Sequence, residues 1–308
     1  MQLKKQRLQA KPEHGDGRGR AARDCTDNVG TTYRTRPMRP PDPQPVLHRV
    51  PWWLVAILGL VGWLMVEAWS SDLYRQILSV VSEGIGVTVF VSLVAFAAAT
   101  AWGLIVALGL QSEHVLLRQA ARVYCEVIRG VPVLVLLFYV AFVGAPVLLK
   151  LANVLAALVA PAGSPPLFES RDFSLMWRAI LALTLSYSAF IAEVFRAGFQ
   201  SVARGQTDAA RSLGMTPRQV FRHVTLPLAV RTILPALGND FVAMVKDSAL
   251  VSVLGVGDIT QMAKVYASGS FLFFETYNVV ALIYLVMTLG LSLALRALER
   301  RLRAHERR

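Results

Sequence analysis

Residues 197–235 read AGFQSVARGQTDAARSLGMTPRQVFRHVTLPLAVRTILP, a mostly polar stretch between long apolar runs. Its first half predicts a short helix over 206–213, with Asp208 in the first turn, where the helix dipole favours an anion. Gly214 follows at the position that commonly ends a helix in the left-handed conformation. We therefore expect defined helices here rather than an open loop.

The second half of this stretch predicts another short helix. Thr216 and Gln219 have the spacing of a capping box, and Pro217 stands between them at the first helical position. Leu226-Pro227 is expected to end this helix, because proline has no amide hydrogen and disfavours a helical residue before it. A segment capped in this way holds one shape, which suits a docking element.

Six apolar stretches flank this segment, and each has roughly the length needed to cross a bilayer. A membrane helix uses about 20 apolar residues to span about 30 Å of hydrocarbon. The predicted spans are 52–68, 85–110, 131–150, 175–195, 233–256 and 276–296. The sequence thus predicts an all-α membrane protein with about six transmembrane helices. A run of small residues from Ala97 to Gly103 predicts close packing in the second span.

The composition supports this class and argues against others. Of the 308 residues, 55% are hydrophobic and 17% are charged, and the mean hydropathy is +0.48. A soluble domain of this size carries more charge on its surface. The net charge is +12, but the basic residues come in blocks between apolar runs, and no nucleic-acid-binding motif accompanies them. We expect contact with the lipid bilayer and no binding of nucleic acid.

The placement of Lys and Arg predicts the orientation in the membrane. Basic residues crowd the N-terminal tail, the second and fourth inter-helix loops and the C-terminus, whereas the alternate loops carry few. The two basic loops contain Arg118, Arg122 and Arg129, and Arg196, Arg204, Arg211, Arg218, Arg222 and Arg231. By the positive-inside rule, both termini of a six-span protein then lie in the cytoplasm of a bacterial inner membrane.

Composition also divides the chain into segments. Residues 1–50 are polar, basic and without apolar periodicity, which predicts a disordered cytoplasmic tail. Whether residues 1–37 belong to the mature protein stays open, because Met38 lies just before the membrane region. Residues 51–83 are expected to form the first transmembrane helix and a periplasmic segment, 84–302 the main membrane domain, and 303–308 a basic tail.

The sequence contains no motif for catalysis or nucleotide binding. It has no phosphate-binding loop of the form G-x-x-x-x-G-K-[ST], no G-x-G-x-x-G, no zinc-protease motif and no nucleophile elbow. Cys25 and Cys125 have neither metal-ligand spacing nor a disulfide pattern, so both are expected to be free thiols. We expect no enzyme activity, no cofactor and no metal site, and any ATP must be hydrolysed by a partner.

The fifth predicted span carries charge inside an apolar helix. Its polar residues are Asn239, Asp240, Lys246, Asp247 and Ser248. Asp240 and Asp247 are seven residues apart and share a helix face. Asn239 and Lys246 lie beside them. If the helix starts near Ile233, Lys246 lies about 20 Å along its axis, inside the hydrocarbon. Charges there face a partner or a water-filled path, so this stripe either lines a translocation path or fixes neighbouring helices.

Several short motifs, in order, resemble the binding-protein-dependent permeases of ABC importers, in particular the polar amino acid subfamily of histidine, glutamine and arginine permeases. The segment at about 197–231 resembles the EAA loop of that family. Other matching motifs are Arg129-Gly130-Val131-Pro132, Glu193-Val194-Phe195-Arg196-Ala197-Gly198, Leu213-Gly214-Met215 and Lys246-Asp247-Ser248-Ala249-Leu250. The resemblance covers residues from about 84 to 302. It implies an ABC permease domain with the core of the type I ABC importer permease fold, called MetI-like.

The resemblance also implies a function and partners. Such a permease translocates a polar amino acid by alternating access, driven by an ABC ATPase subunit dimer. A periplasmic binding protein delivers the amino acid, and a second permease subunit, the same chain or a paralogue, completes the path. The EAA loop docks on the ATPase, and on this chain the implied coupling residues are Gly205, Asp208, Ala209, Ala210, Gly214, Leu226 and Pro227. The family usually has Glu where this chain has Asp208, whose reach is one methylene shorter.

Two other classes of protein provide alternatives. An ion-gradient-driven secondary transporter of small polar solutes would show inverted repeats with broken helices, and no such internal symmetry is evident in the sequence. A membrane-anchored scaffold would not need a polar stripe inside the bilayer. The resemblance to ABC permeases therefore remains the leading hypothesis.

Reporter fusions test the predicted topology. Fusions after Gly163 and after Ser268 are expected to report the periplasm, and fusions after Gln111 and at Gly214 the cytoplasm, because the basic loops alternate with basic-poor ones. The measurement uses a pair of reporters that are active on opposite sides of the membrane. A cytoplasmic signal at Gly163 would contradict the six-span arrangement.

Overall fold

The computed structural model describes residues 70–158 and 173–304 and, before them, residues 56, 59, 61–63 and 66. The tail predicted at 1–50, most of the first predicted span at 52–68 and the side chains of the tail at 303–308 lie outside the described residues. Every described element is helical. The all-α class is therefore confirmed.

The described helices are numbered in chain order. They are α1 (Asp72–Ser82), α2 (Gly84–Leu110), α3 (Val115–Gly130), α4 (Val133–Tyr139), α5 (Ala145–Ala157), α6 (Leu175–Gln200), α7 (Arg204–Ser212), α8 (Pro217–Val220), α9 (Leu226–Asp247), α10 (Ile259–Ser270) and α11 (Phe273–Ala304). Two π-helical turns, Val140–Gly144 and Phe221–Thr225, and a 3-10 segment, Ser248–Leu254, connect some of them.

Five helical stretches among the described residues are long and apolar enough to cross a membrane. They are Asp72–Leu110, Val133–Ala157, Leu175–Gln200, Pro217–Leu254 and Phe273–Arg300. These correspond to the last five of the six predicted spans, and the first falls mainly outside the described residues. The segment just before α2, expected to be part of a periplasmic connection, is helical as α1.

A row of small side chains lets α2 approach α6 closely. The buried members of this row, three or four residues apart, are Ser92, Ala95, Ala99, Gly103 and Ala107. Gly84 and Thr88, at the start of α2, contact Asp258 and Ile259 instead. A Cβ at Gly103 would lie 2.9 Å from the carbonyl oxygen of Ser188 and from Cγ2 of Ile191 on α6. Only glycine permits this separation of the two backbones. The predicted packing role is confirmed for Ala99 and Gly103.

Helix α3, which carries the three arginines predicted for the second inter-helix loop, packs beside this pair. They lie on a helix whose buried residues Ala121 and Cys125 pack against α2 and α6. The hydroxyl of Tyr124 lies 2.7 Å from Oγ of Ser188, near the middle of α6. The second half of α3 therefore runs alongside the spans rather than beyond their ends. Cys125 is a free, buried thiol, as predicted; Cys25 lies outside the described residues.

Prolines are accommodated by π-helical turns. One π turn, Val140–Gly144, precedes Pro146, and the other, Phe221–Thr225, precedes Pro227. Proline lacks the N–H of the normal helical bond, and its ring crowds the carbonyl four residues earlier; a π turn opens the helix at that point. The predicted helix end at Leu226-Pro227 is therefore wrong, because the chain continues as α9.

The buried carboxylate of Asp258 holds the start of α10. It accepts hydrogen bonds from the backbone N–H groups of Thr260 (3.2 Å) and Gln261 (3.0 Å) and from the hydroxyl of Tyr284 on α11 (3.4 Å). Burial raises the pKa of this carboxyl, and the hydrogen bonds from the two N–H groups oppose that shift. One side chain thus caps α10 and joins it to α11.

Substitution of Gly103 tests the contact between α2 and α6. Gly103→Leu is expected to destabilise the protein by about 3 kcal/mol or more, because a side chain there meets the backbone of α6. Gly86→Leu on the same helix is the matched control, since no atom lies within 4 Å of the position of its Cβ. The measurement is the amount of protein in the membrane and its melting temperature in detergent. Equal values for both variants would contradict the assigned contact.

Candidate functional site

The loop predicted to dock on a partner connects α6 to the long helix that leads into α9. Its first helix, α7, begins at Arg204 rather than at residue 206 and ends at Ser212. Asp208 therefore lies in the second turn of α7 and not in the first. The predicted stabilisation by the helix dipole is wrong, because that effect is confined to the first turn. The Asp208 side chain is exposed.

A left-handed turn at Gly214 ends α7. Gly214 has φ +80°, and its N–H donates to the carbonyl of Arg211 (2.9 Å), while the N–H of Met215 donates to the carbonyl of Ala210 (3.3 Å). These two bonds define a Schellman motif. The capping box predicted at the start of α8 is also present. Both predicted end signals are confirmed, and the loop has one defined shape.

The loop is attached at its base to two spans. The ring of Phe199 at the end of α6 lies 6.0 Å from that of Phe221 in the π turn, centroid to centroid. Oγ of Ser201 donates a hydrogen bond to Oγ1 of Thr232 on α9 at 3.3 Å. These two contacts join the end of α6 to the π turn and to α9, so the two ends of the loop are held together.

Most of the predicted coupling residues are exposed. The exposed ones are Gly205, Asp208, Ala209, Gly214, Leu226 and Pro227. Ala210 is buried, so within this chain its side chain faces inward. Leu226 and Pro227 lie on the helix that continues as α9 rather than in the turn. Leu213, which the prediction did not include, is 84% exposed; an apolar residue beside the terminal glycine of a polar segment was the available signal.

The polar stripe of α9 divides into two columns. Asn239 and Lys246 are exposed, whereas Asp240 and Asp247 are half-buried against the rest of the chain. Ser248 is fully buried and donates to a backbone carbonyl one turn earlier (2.8 Å). The seven-residue spacing thus places each pair in one column, as predicted, while Ser248 faces the interior.

The half-buried carboxylates meet α6. The hydroxyl of Tyr187 donates a hydrogen bond to Oδ2 of Asp247 at 2.7 Å. Oδ2 of Asp240 is buried and has no hydrogen-bond partner among the described residues. Buried polar atoms of this kind bind water or belong to functional sites. Sequence reasoning missed Tyr187, because its bond to Asp247 joins residues 60 positions apart.

The helix that carries the stripe starts much earlier than predicted. The helical stretch runs from Pro217 to Leu254 and contains Pro235 in its interior. The expected start near Ile233 is therefore wrong, and the depth of Lys246 counted from that start does not apply. One helical stretch instead joins the docking loop at one end to the polar stripe at the other.

The chain matches the model of a known family. A family model described as "Binding-protein-dependent transport system inner membrane component" matches residues 99–304. The chain belongs to this family of permeases. The family predicted from the sequence motifs is therefore confirmed.

Individual relatives support the same assignment. The probable glutamine ABC transporter permease protein GlnM of Bacillus subtilis is 35% identical over 225 residues, 73% of this permease and 94% of GlnM. A chain in a crystal structure of an amino acid ABC transporter with histidines is 36% identical, with a TM-score of 0.60, over 72% of this permease and 94% of that chain. A chain of the MetNI methionine ABC transporter in an inward-facing conformation is 19% identical, with a TM-score of 0.56, over 75% of this permease and 99% of that chain. That last likeness shows the MetI-like fold.

The permease is a multi-pass inner-membrane protein and a component of an ABC amino acid importer. In this family ATP is hydrolysed by a separate subunit, so the chain is a transport subunit and not an enzyme. Membership of the family rules out the two alternatives, an ion-gradient-driven transporter and a membrane-anchored scaffold.

Neutralising Asp247 tests the role of the stripe. Asp247→Asn keeps an acceptor for Tyr187 and removes the charge, so it is expected to reduce amino acid uptake at least tenfold with normal accumulation in the membrane. Tyr187→Phe keeps the charge and removes the hydrogen bond, and it is expected to lower stability by about 1 kcal/mol. The measurements are uptake and melting temperature. Failure of Asp247→Asn to accumulate would favour a purely structural role.

Proposed function

We propose that α7 and the turn at Gly214 dock on the ATPase subunit and transmit its movement to the membrane helices. Three features support this. The turn has a single hydrogen-bonded shape, Leu213 and Asp208 are exposed on it, and its base is attached to α6 and α9. An exposed apolar side chain beside a rigid turn can insert into a groove of a partner.

The coupling residues divide by position. We place Gly205, Asp208 and Ala209 on the docking face of α7, and Leu213 and Gly214 at its end. Ala210 supports this face from inside, where it is buried. Leu226 and Pro227 lie on the helix that carries the movement away from the loop. Their role is transmission rather than contact with the ATPase.

The polar stripe of α9 is the proposed translocation path. Asn239 and Lys246 are exposed in the single chain, and a charged side chain on a membrane helix avoids lipid. Asp240 and Asp247 lie behind them, with one carboxylate oxygen of Asp240 unpaired among the described residues. Ser248 is buried and supports the helix end. A second permease subunit, the same chain or a paralogue, would close the exposed side of the path.

The complete importer then contains this permease, its partner permease, an ABC ATPase dimer and a periplasmic amino-acid-binding protein. Both termini and the docking loop lie in the cytoplasm, as the distribution of basic residues indicates. The polar residues of the path and the similarity to GlnM support a polar amino acid as the solute. The observation that carries the coupling proposal is the left-handed, hydrogen-bonded turn at Gly214 next to the 84% exposed Leu213.

Substitution of Gly214 tests the coupling. Gly214→Val is expected to abolish uptake while the protein remains inserted, because a β-branched residue at positive φ costs more than about 1 kcal/mol and deforms the turn. No atom lies within 4 Å of the Cβ position, so the effect comes from backbone strain and not from a clash. The measurement is uptake, together with ATPase activity stimulated by loaded binding protein, in reconstituted vesicles.

Gly214→Asn is the matched control, since asparagine tolerates the left-handed conformation. It is expected to retain most of the uptake and stimulated hydrolysis. Full coupling in Gly214→Val, or equal loss in both variants, would show that the shape of this turn does not transmit the ATPase movement.

A further inference from the structure

Three helical segments form a small hydrophobic core that is separate from the main one. They are α1, α10 and residues 273–283 of α11, which we call the three-helix unit. Its buried residues are Ile77, Val81, Ile259, Ala263, Val279, Val280 and Ile283. The stretch Pro217–Leu254 leads from the docking loop to this unit and is long enough to cross the membrane. The docking loop and the three-helix unit therefore lie at opposite faces of the membrane.

The outer side of the three-helix unit is polar. Along α1 the exposed polar residues lie on one helix face, and they are Asp72, Arg75, Gln76, Ser79 and Glu83, the last directly after the helix. Lys264 and Ser268, one turn apart on α10, are exposed as well. Charged side chains avoid hydrocarbon, so α1 and α10 lie in water or among lipid headgroups. The 27 residues of α2 alone span about 40 Å, enough to cross the bilayer.

Helix α10 points away from the membrane. Its start is held against the first turns of α2, where a Cβ at Gly84 would lie 2.6 Å from the carbonyl oxygen of Asp258, and the N–H of Ile259 donates to Oγ1 of Thr88 at 3.2 Å. From there α10 runs for 12 residues, about 18 Å, beside α1, the helix that precedes α2. The turn after α10, at Phe271, is therefore the part of this helix farthest from α2.

This turn holds an aromatic residue in a conformation that favours glycine. Phe271 has φ +58° and, among the described residues, is the one non-glycine residue with positive φ. Its N–H donates to the carbonyl of Ala267 at 2.8 Å, so the turn is defined. Such backbone strain is typical of functional positions. The ring is 81% exposed, so packing within the chain does not compensate for the strain.

Phe271 and Phe274 form an exposed aromatic tip. Phe274, in the first turn of α11, is 74% exposed, and the neighbouring polar or small residues Ser268, Gly269 and Ser270 are exposed too. Since the tip stands beyond the polar side of α1 and α10, lipid does not cover its rings. An apolar patch in water with a polar rim is typical of a protein interface, and aromatic anchors contribute most to binding.

We propose that the aromatic tip docks on the binding protein of this importer. This rests on the proposed function, which places the ATPase at the docking loop. The family is binding-protein-dependent, and a binding protein meets the permease at the face opposite to the ATPase, where the tip lies. The strained turn then presents Phe271 to an apolar pocket of the binding protein.

The test measures binding of a fluorescent, amino-acid-loaded binding protein to the permease–ATPase complex in nanodiscs. The probe is the purified binding protein that stimulates hydrolysis by the wild-type complex. Phe271→Gly relieves the strain and removes the ring, so it is expected to keep or raise the melting temperature and to weaken binding at least tenfold. Phe271→Tyr keeps the ring and is expected to bind within about twofold of wild type.

Phe274→Ala is expected to weaken binding as well. Phe142→Ala is its matched control, because Phe142 is 57% exposed but lies within the stretch Val133–Ala157, and it is expected to keep wild-type binding. Wild-type affinity in Phe271→Gly, or equal losses in Phe274→Ala and Phe142→Ala, would overturn the proposal.

Phe271→Cys gives an independent readout. A water-soluble, membrane-impermeant maleimide is expected to label it above the level of the wild-type chain, and loaded binding protein is expected to protect it. Absence of labelling without binding protein would show that lipid or a second permease subunit covers this position, which would also overturn the proposal. A failure of the docking loop is distinguishable, because it removes stimulated hydrolysis and leaves this binding unchanged.

Discussion

The close contact of α2 with α6 is the constraint on which the rest of this permease depends. Lipid removes the hydrophobic force between membrane helices, so their association relies on close van der Waals packing. Gly103 and the small residues beside it supply that packing. Ser92 donates to a backbone carbonyl one turn earlier, so its hydroxyl does not hold the helices apart. With α6 placed, α3 packs beside it, and Tyr187, Phe190 and the base of the docking loop gain fixed positions.

A long helical stretch that continues through Pro227 and Pro235 connects the two candidate sites. The π turn before Pro227 lets the chain pass from the docking loop into α9 without a break. The same helix carries Asp240 and Asp247 toward its other end. A rigid element of this kind transmits a displacement along its length, which a hinge at Pro227 would have absorbed. In the proposed mechanism, the physical link between ATPase docking and the amino acid path is thus part of the backbone itself.

Charge is distributed so that each helix face has one environment. On α3, buried residues, exposed apolar residues and exposed polar residues occupy three separate faces. On α9, an exposed column of Asn239 and Lys246 stands in front of half-buried carboxylates. Mixed signs along the proposed path suit a zwitterion, because a site of one sign would attract one end of the amino acid and repel the other. The same arrangement limits the desolvation of isolated charges in the bilayer.

Local rules determined much of this protein from sequence alone. Apolar runs of sufficient length predict spans, Gly214 predicts a left-handed helix end, and Thr216 with Gln219 predicts a cap; each depends on residues within one or two turns of each other. The family motifs added the function. Tertiary structure alone decided the rest. It placed Arg129 beside the spans, joined Tyr187 to Asp247, turned Ala210 inward and carried the helix through Pro227. These outcomes depend on neighbours distant in sequence, or on a backbone adjustment that no residue type requires.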